Sequence, residues 1–432
     1  LGRTPRASHG AAAQAAAQAA AEAASEAASE AASEAAAQAA SEAPPAGGTG
    51  TPRCAAPRPE TARLSESGAA TAGLFFDLGG RIAQTLVRLN AAREVTVGCS
   101  AKQPVWSRGK TTLYRYLPLT ATAPSERAQR ARGRRVRARP GSAKPAPVLI
   151  CFALVNRPYV LDLQPDISLV RRLLEAGLTV YLIDWGEADD ADRGCDLEHY
   201  VERALGGCVE HVCGAHAGAV NLLGVCQGGV LSLIYTALHP RQVRNLVTLT
   251  TAVDFQTPDD LLSKWVRGVD TELIARCGNL PGAALNALFL ALMPFRLTQQ
   301  KYVRLLLSGA DQRAVEEFVR LERWIFDSPP QAAAALTQYL RWFYQENSLV
   351  RGTLEIGGRS VNLRQIRQPL LNLYAAADHI VPAAACAVMG RHVGSRDYTG
   401  CAIDTGHIGM YVSRRAREEI PARIIAWLRA RS

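Results

Sequence analysis

From Val148 onward the sequence alternates strand-length apolar runs with segments of helical spacing, and this alternation restricts the fold more than any other feature. Val148–Val155 (VLICFALV), Leu178–Ile183 (LTVYLI), Val220–Val225 (VNLLGV) and Asn245–Thr250 (NLVTLT) are nearly continuous apolar runs. Strands buried on both faces read this way. Between them, Ile167–Ala176 closed by Gly177, His199–Cys213 and the VLSLIYTAL run after Gly229 have helical character. The pattern predicts an α/β fold with a mostly parallel sheet covered on both faces. After Phe255 the alternation stops, and to about residue 365 the chain reads as helical and rich in aromatics, among them Trp265, Phe289, Trp324 and Phe343. Strands resume at Pro369–Tyr374 (PLLNLY) and Tyr398–Ile403, and an amphipathic helix at Arg417–Arg429 closes the chain. The expected organisation is a core in two parts, 74–254 and 366–432, interrupted by a helical insertion at 255–365.

The first 73 residues read as tail and linker. Residues 11–43 are low in complexity, with Glu22, Glu26, Glu30 and Glu34 recurring every four residues. Ala and Glu favour helix, but like charges at this spacing oppose it and no apolar stripe larger than Ala exists to pack. A disordered, at most partly helical tail is expected, and the Pro/Gly cluster at 44–59 ends it. The opening LGRTPRASHG is basic without an apolar core, which does not match a secretory signal. The ten cysteines show no framework spacing, so reduced intracellular thiols are expected rather than disulfides. The apolar run 283–295 is too short to span a bilayer and is interrupted by Asn286 and Pro294. Basic residues number 49 against 39 acidic ones, a formal charge of +10. Residues 124–147 carry seven Arg and Lys144 against Glu126, a net of +7, so one loop supplies most of the excess. That loop lacks interleaved aromatics, and a solvated basic loop is expected rather than a nucleic-acid surface.

The chemistry concentrates at Gly224-Val225-Cys226-Gln227-Gly228-Gly229. This segment follows the VNLLGV run and precedes a helix, the setting of a nucleophile elbow with Cys in place of Ser. Flanking glycines allow the tight turn, and the N-terminal end of the helix favours a thiolate. A thiol nucleophile needs a base, and the base an orienter or a second acid–base partner. In elbow enzymes these follow in the order nucleophile, acid, His. Asp378 lies just past PLLNLYAAAD and His407 within TGHIGM, both at expected C-terminal strand ends. Asp184 and Asp404 also follow strand-like runs and remain alternatives for the acid. The oxyanion hole is expected from the backbone N–H of Gln227 and one from the loop after VLICFALV, at Val155 or Asn156.

Together, FALVNRPYVLDLQP, YLIDWG, LLGVCQGG, WIFDSP, FYQEN, ADHIVP and TGHIGMYVS resemble the polyhydroxyalkanoate synthases, and most closely their short class III form. The resemblance covers about residue 74 to the end, although the Arg-rich loop is longer than the family pattern. It implies an α/β-hydrolase fold with a helical cap. It further implies an acyltransferase that polymerises (R)-3-hydroxyacyl-CoA, with short side chains such as 3-hydroxybutyryl, and releases CoA. Carried over by position, the nucleophile is Cys226 and the histidine His407, while Asp378 helps deprotonate a 3-hydroxyl. No cofactor is implied, because the CoA thioester is the substrate. The implied partners are a second, non-catalytic subunit, further copies of the chain and the polyhydroxyalkanoate granule surface, in the cytoplasm. A Cys-nucleophile thioesterase or esterase, or an inactive granule scaffold, is the alternative.

Other signals carry less. Cys208, His211, Cys213 and His216 match no common structural zinc spacing, so no metal site is expected. GVCQGG lacks a phosphate-loop lysine and the G-x-G-x-x-G spacing. His379 is read as a neighbour of the site and Trp185 as packed beside it.

Overall fold

Eight strands form one sheet in a computed structural model that describes residues 80–92, 94–119, 145–258, 260–291 and 299–431. The strands are β1 (Lys102–Arg108), β2 (Thr111–Tyr116), β3 (Val148–Cys151), β4 (Val180–Asp184), β5 (Val220–Val225), β6 (Val243–Leu249), β7 (Leu370–Ala375) and β8 (Tyr398–Ile403). Their spatial order is β1-β2-β4-β3-β5-β6-β7-β8. β1 and β2 form an antiparallel hairpin, β2 joins β4 antiparallel, and every pair from β4 to β8 is parallel. The expected α/β class with a mostly parallel sheet is observed. The low-complexity tail and the basic stretch through residue 144 lie outside the described residues.

The central strands are apolar because helices cover both faces. All six residues of β5 and all four of β3 are buried. The polar exceptions are paired. Asn245 donates to Asn221 at 2.8 Å, Asn221 to the Ala146 carbonyl at 2.8 Å, and Thr248 to Asn372 at 3.0 Å. Each cross-link satisfies groups that would otherwise cost about 1–3 kcal/mol to bury. The packed helices on this sheet are α1 (Leu169–Glu175), α2 (199–216), α3 (Gln227–Leu238) and, at the end of the chain, Arg414–Arg429.

Two local readings change. Ile167–Ser168 does not open the helix but pairs with Asp162–Gln164 as a two-stranded ribbon. Ser168 is the N-cap, accepting from Arg171 N–H at 2.8 Å, so the helix begins at Leu169. The β1–β2 hairpin has no counterpart in the sequence reading. KQPVWSR is largely exposed and contains Pro104, so its alternation is masked.

Between β6 and β7 the described residues are mainly helical: α4 (Leu261–Arg267), α5 (Thr271–Cys277), α6 (Gly282–Ala291), α7 (Lys301–Ser308), α8 (Gln312–Ile325) and α9 (Ala333–Tyr339), which continues as a wider turn through Leu340–Gln345; a short antiparallel ribbon, Glu355–Ile356 with Arg359–Ser360, follows. Asp260, Asp270 and Asp311 cap α4, α5 and α8. This layer packs on the core through Phe255, stacked with Phe343 at 5.4 Å and edge-on to Tyr344 at 5.0 Å. Among the described residues no helix is long and apolar enough to cross a membrane. The parallel strands direct their C-terminal ends to one side, under these helices.

Candidate active site

Cys226 occupies the single residue between β5 and α3, with φ 53° and ψ −122°. A non-glycine residue in this region is strained, and such strain is retained where the surroundings enforce it. Here they do. Cys226 N–H donates to the Leu249 carbonyl at 2.8 Å, and Gly229 N–H returns to the Cys226 carbonyl at 2.9 Å. The glycines are required by close approach. A Cβ on Gly224 would lie 2.5 Å from the Gly229 Cα, and one on Gly228 2.2 Å from the Cys151 carbonyl oxygen. Gly228→Ala should therefore cost about 3 kcal/mol, because backbone rather than a movable side chain opposes it. Urea unfolding of the purified variant measures this loss.

His407 lies in the loop after β8 and is 7% exposed. Its Nδ1 is 2.7 Å from Asp378 Oδ2, and its ring makes an edge contact with Tyr411 at 5.9 Å. Asp378 follows β7 and its side chain is 1% exposed. Its Oδ1 accepts from Ile380 N–H and Val381 N–H, both at 2.9 Å. The carboxylate is thus engaged on both oxygens and faces His407, not the cavity. Cys226 and this imidazole border the same cavity. Burial alone would lower the His407 pKa, but the Asp378 carboxylate, by charge and by hydrogen bond, and Cys226 outweigh it and push the ring from 6.5 up to about 10. An imidazole that holds a proton and is oriented by a carboxylate beside the sulfur is what a nucleophile–base pair requires.

The alternative acids lie elsewhere. Asp184 accepts from Gly186 N–H at 3.1 Å, and Asp404, 75% exposed, pairs with Arg415 at 2.9 Å. Two members of the Cys/His cluster on α2 have other partners: Cys213 donates to the Gln242 carbonyl at 3.7 Å and His216 shares a hydrogen bond with Tyr181 at 3.0 Å.

Around the sulfur, Gln227 opens α3, where the first N–H groups have no intrahelical acceptor. The Gln227 side chain accepts from Leu154 N–H at 3.0 Å, pinning the loop after β3 against the elbow. Val155 and Asn156, next in that loop, line the cavity beside Cys226. Trp185 donates to the Phe152 carbonyl at 3.0 Å and steadies the same strand end. His379 lines the cavity wall.

The sequence reading misses how the cap holds this loop. Trp324 donates to the Arg157 carbonyl at 2.7 Å, Asp327 accepts from Arg157 Nε at 3.2 Å and Tyr159 at 3.1 Å, and Asn156 donates to Ser328 at 3.2 Å. Gln331 completes the clamp by donating to the Leu154 carbonyl at 3.0 Å. WIFDSP thus reaches NRPY across some 170 positions, a contact that no local spacing signals. Thr250, with φ 47°, and Tyr411 are also missed; their hydroxyls lie 3.2 Å apart beside the elbow.

Two cavities meet at Cys226. One of about 90 Å³ is bordered by His407, Asn156, Asn286, Lys301 and Trp324. The other, of about 360 Å³, extends under α4, α6 and α9 and is almost wholly apolar. A strained thiol, a buried imidazole–carboxylate pair and a covered apolar pocket together equip the site for acyl transfer.

Comparison with known proteins gives the family. A family model described as "alpha/beta hydrolase fold" matches residues 146–413. The poly(3-hydroxyalkanoate) polymerase subunit PhaC of Allochromatium vinosum is 44% identical over 359 residues, covering 83% of this chain and 96% of that protein. The subunit of the same name from Synechocystis is 40% identical over 347 residues, covering 78% and 86%. Among solved structures, a carboxylesterase of Nitrososphaera gargenis superposes with a TM-score of 0.46 at 14% identity, covering 76% of this chain and 100% of that one. The chain belongs to the family of poly(3-hydroxyalkanoate) polymerase PhaC subunits, built on the α/β-hydrolase fold.

Proposed function

We propose that this chain polymerises (R)-3-hydroxyacyl-CoA, with 3-hydroxybutyryl-CoA as a substrate, through an acyl group carried on Cys226. The observation that carries the reading is Cys226 on a cavity wall with the hydrogen-bonded His407–Asp378 pair, at the junction of two cavities. In the first step the sulfur attacks the thioester carbonyl, with its proton held on His407. The oxyanion is received by Gln227 N–H and an N–H of Val155 or Asn156. The carbon–sulfur bond to CoA then breaks, and CoA thiol leaves with the His407 proton. In the second step His407 takes the proton of a 3-hydroxyl, whose oxygen attacks the acyl-Cys226 carbonyl. An ester forms, the carbon–sulfur bond breaks, and the sulfur regains the proton. Asp378 acts through His407, since both of its oxygens are occupied away from the cavity; this differs from a direct attack on the hydroxyl proton by Asp378.

Thioester exchange is nearly isoenergetic and formation of the oxoester is downhill, so water must be kept from the intermediate. The α4–α9 layer over the sulfur serves that purpose. A second subunit, self-association and attachment to the polymer granule complete the proposed setting. Incubation with 3-hydroxybutyryl-CoA, with and without a candidate second subunit, tests the reading. Release of CoA with insoluble polyester supports it; free 3-hydroxybutyrate would make the chain a thioesterase, and no release under either condition would leave a scaffold.

A further inference from the structure

Thr250 and Tyr411 have no role in the cycle above, yet both are held against the elbow. Among the described residues four other than glycine have left-handed φ, and Thr250, at 47°, is the one with a branched Cβ. Such a residue is strained there and stays only where its surroundings hold it. Its N–H donates to the Leu373 carbonyl at 2.8 Å. The carbonyl of Leu249, just before it, accepts from Cys226 N–H at 2.8 Å and from the Thr251 hydroxyl at 3.1 Å. One strand end thus fixes both Thr250 and Cys226. Glycine would satisfy the backbone here without strain. What threonine adds is a hydroxyl, and that hydroxyl meets the Tyr411 phenol at 3.2 Å.

Tyr411 is fixed as firmly. It is 8% exposed and lies in the helical turn Gly409–Val412, with its ring edge-on to His407, to Trp324 at 6.2 Å and to Phe152 at 6.3 Å. Burial raises its pKa well above the ordinary phenol value, so the oxygen keeps its proton. Two hydroxyls that share one hydrogen bond leave one O–H over, and among the described residues neither has a second partner. A buried donor left in that state is costly. Tyr411 borders the smaller cavity with Cys226 and His407, and Thr250 borders the larger one with Cys226. Other polar side chains on the wall of the smaller cavity are already engaged. Asn156 donates to Ser328 at 3.2 Å, Asn286 to the Phe326 carbonyl at 3.0 Å and Lys301 to Glu322 at 2.7 Å.

A 3-hydroxyacyl group on Cys226 has an oxygen at C3, a hydroxyl in a single unit and an ester oxygen within a chain. Either accepts a hydrogen bond, whereas the C3 methylene of an unsubstituted acyl group accepts none. We propose that Tyr411 donates its O–H to the C3 oxygen of the acyl group, and that Thr250, donating to the Tyr411 oxygen, aims it. Tyr411 is then a specificity-determining residue for 3-oxygenated thioesters, and Thr250 a positioning residue. An O–H whose own oxygen receives a hydrogen bond is also the stronger donor. A site built to pair a substrate oxygen rejects the analogue that lacks it, because the donor is left unpaired. The inference rests on the acyl-Cys226 reading above and deepens it.

Single-turnover acylation of the full-length chain, with its partner subunit if one is required, tests this. Release of the first equivalent of CoA is timed with 3-hydroxybutyryl-CoA and with butyryl-CoA. Tyr411→Phe keeps the ring and its edge contacts, and should cut the rate ratio of the two substrates by about tenfold. Thr250→Ala should lower the ratio in the same direction. Thr250→Ser, which restores the hydroxyl, should recover most of that loss. A role confined to packing would slow both thioesters alike. An unmoved ratio in Tyr411→Phe would therefore overturn the proposal, and equal ratios in Thr250→Ser and Thr250→Ala would remove Thr250 from it. Polymer from the unaltered chain together with an unmoved ratio removes the hydroxyl pair alone. Free acid in place of polymer removes the polymerase reading, and the ratio still decides the part played by Tyr411.

Discussion

Cys226→Ala should abolish acyl transfer, lowering CoA release by at least about 10³-fold and leaving no acylated protein in intact-mass spectra. The expectation is sharp because the substitution removes the nucleophile and little else. Alanine tolerates the φ of 53° no worse than cysteine, and the Leu249 and Gly229 backbone bonds that hold the elbow involve no side-chain atom. His407 and Asp378 remain paired at 2.7 Å. A variant that still gains the mass of one hydroxyacyl group would remove Cys226 from the mechanism.

Asp378→Asn should lower turnover by about 10³–10⁴-fold while the fold is kept. The cause lies in what each oxygen does. The Asn carbonyl can still accept from Ile380 and Val381 N–H, which leaves its NH₂ group facing His407 Nδ1. A neutral ring can accept from that NH₂ only by carrying its own proton on Nε2, the wrong tautomer for a base. The pH behaviour carries a second signature. The folded His407 pKa of about 10 exceeds the ordinary 6.5, so its contribution to stability is full below about 6.5 and is lost as pH rises through about 10. Urea unfolding of the parent chain should show that decline between these limits, and the Asn variant a flatter profile. Equal profiles would mean that the carboxylate does not hold the ring's proton.

The sheet is legible in the sequence because five of its strands are buried on both faces, so burial alone makes them stand out. Cys226 and Asp378 are legible for a related reason: each lies just past such a run, while His407 follows β8, a largely exposed strand, and a parallel sheet gathers all three ends. β1 is obscured by exposure and by Pro104, since an edge strand that faces solvent loses its apolar signature. The cap's clamp on Arg157 and Tyr159 is obscured by distance: Trp324 and Asp327 stand in WIFDSP, and nothing local in that motif points to the β3 loop until the fold brings them together. The direction in which Asp378 faces is likewise set by backbone N–H groups, which every residue but proline possesses.

The hairpin has a consequence for crowding. β1 borders the sheet on one side only, and an open border of that kind invites a strand from another molecule. Pro104 withholds one donor there, and the register shifts between Pro104 and Trp106, breaking the ladder that a foreign strand would have to match. Lys102 and Arg108 add positive charge at either end. Many copies gathered at high local concentration are therefore turned away from strand-to-strand aggregation along this border, and their encounters are directed to other faces of the molecule.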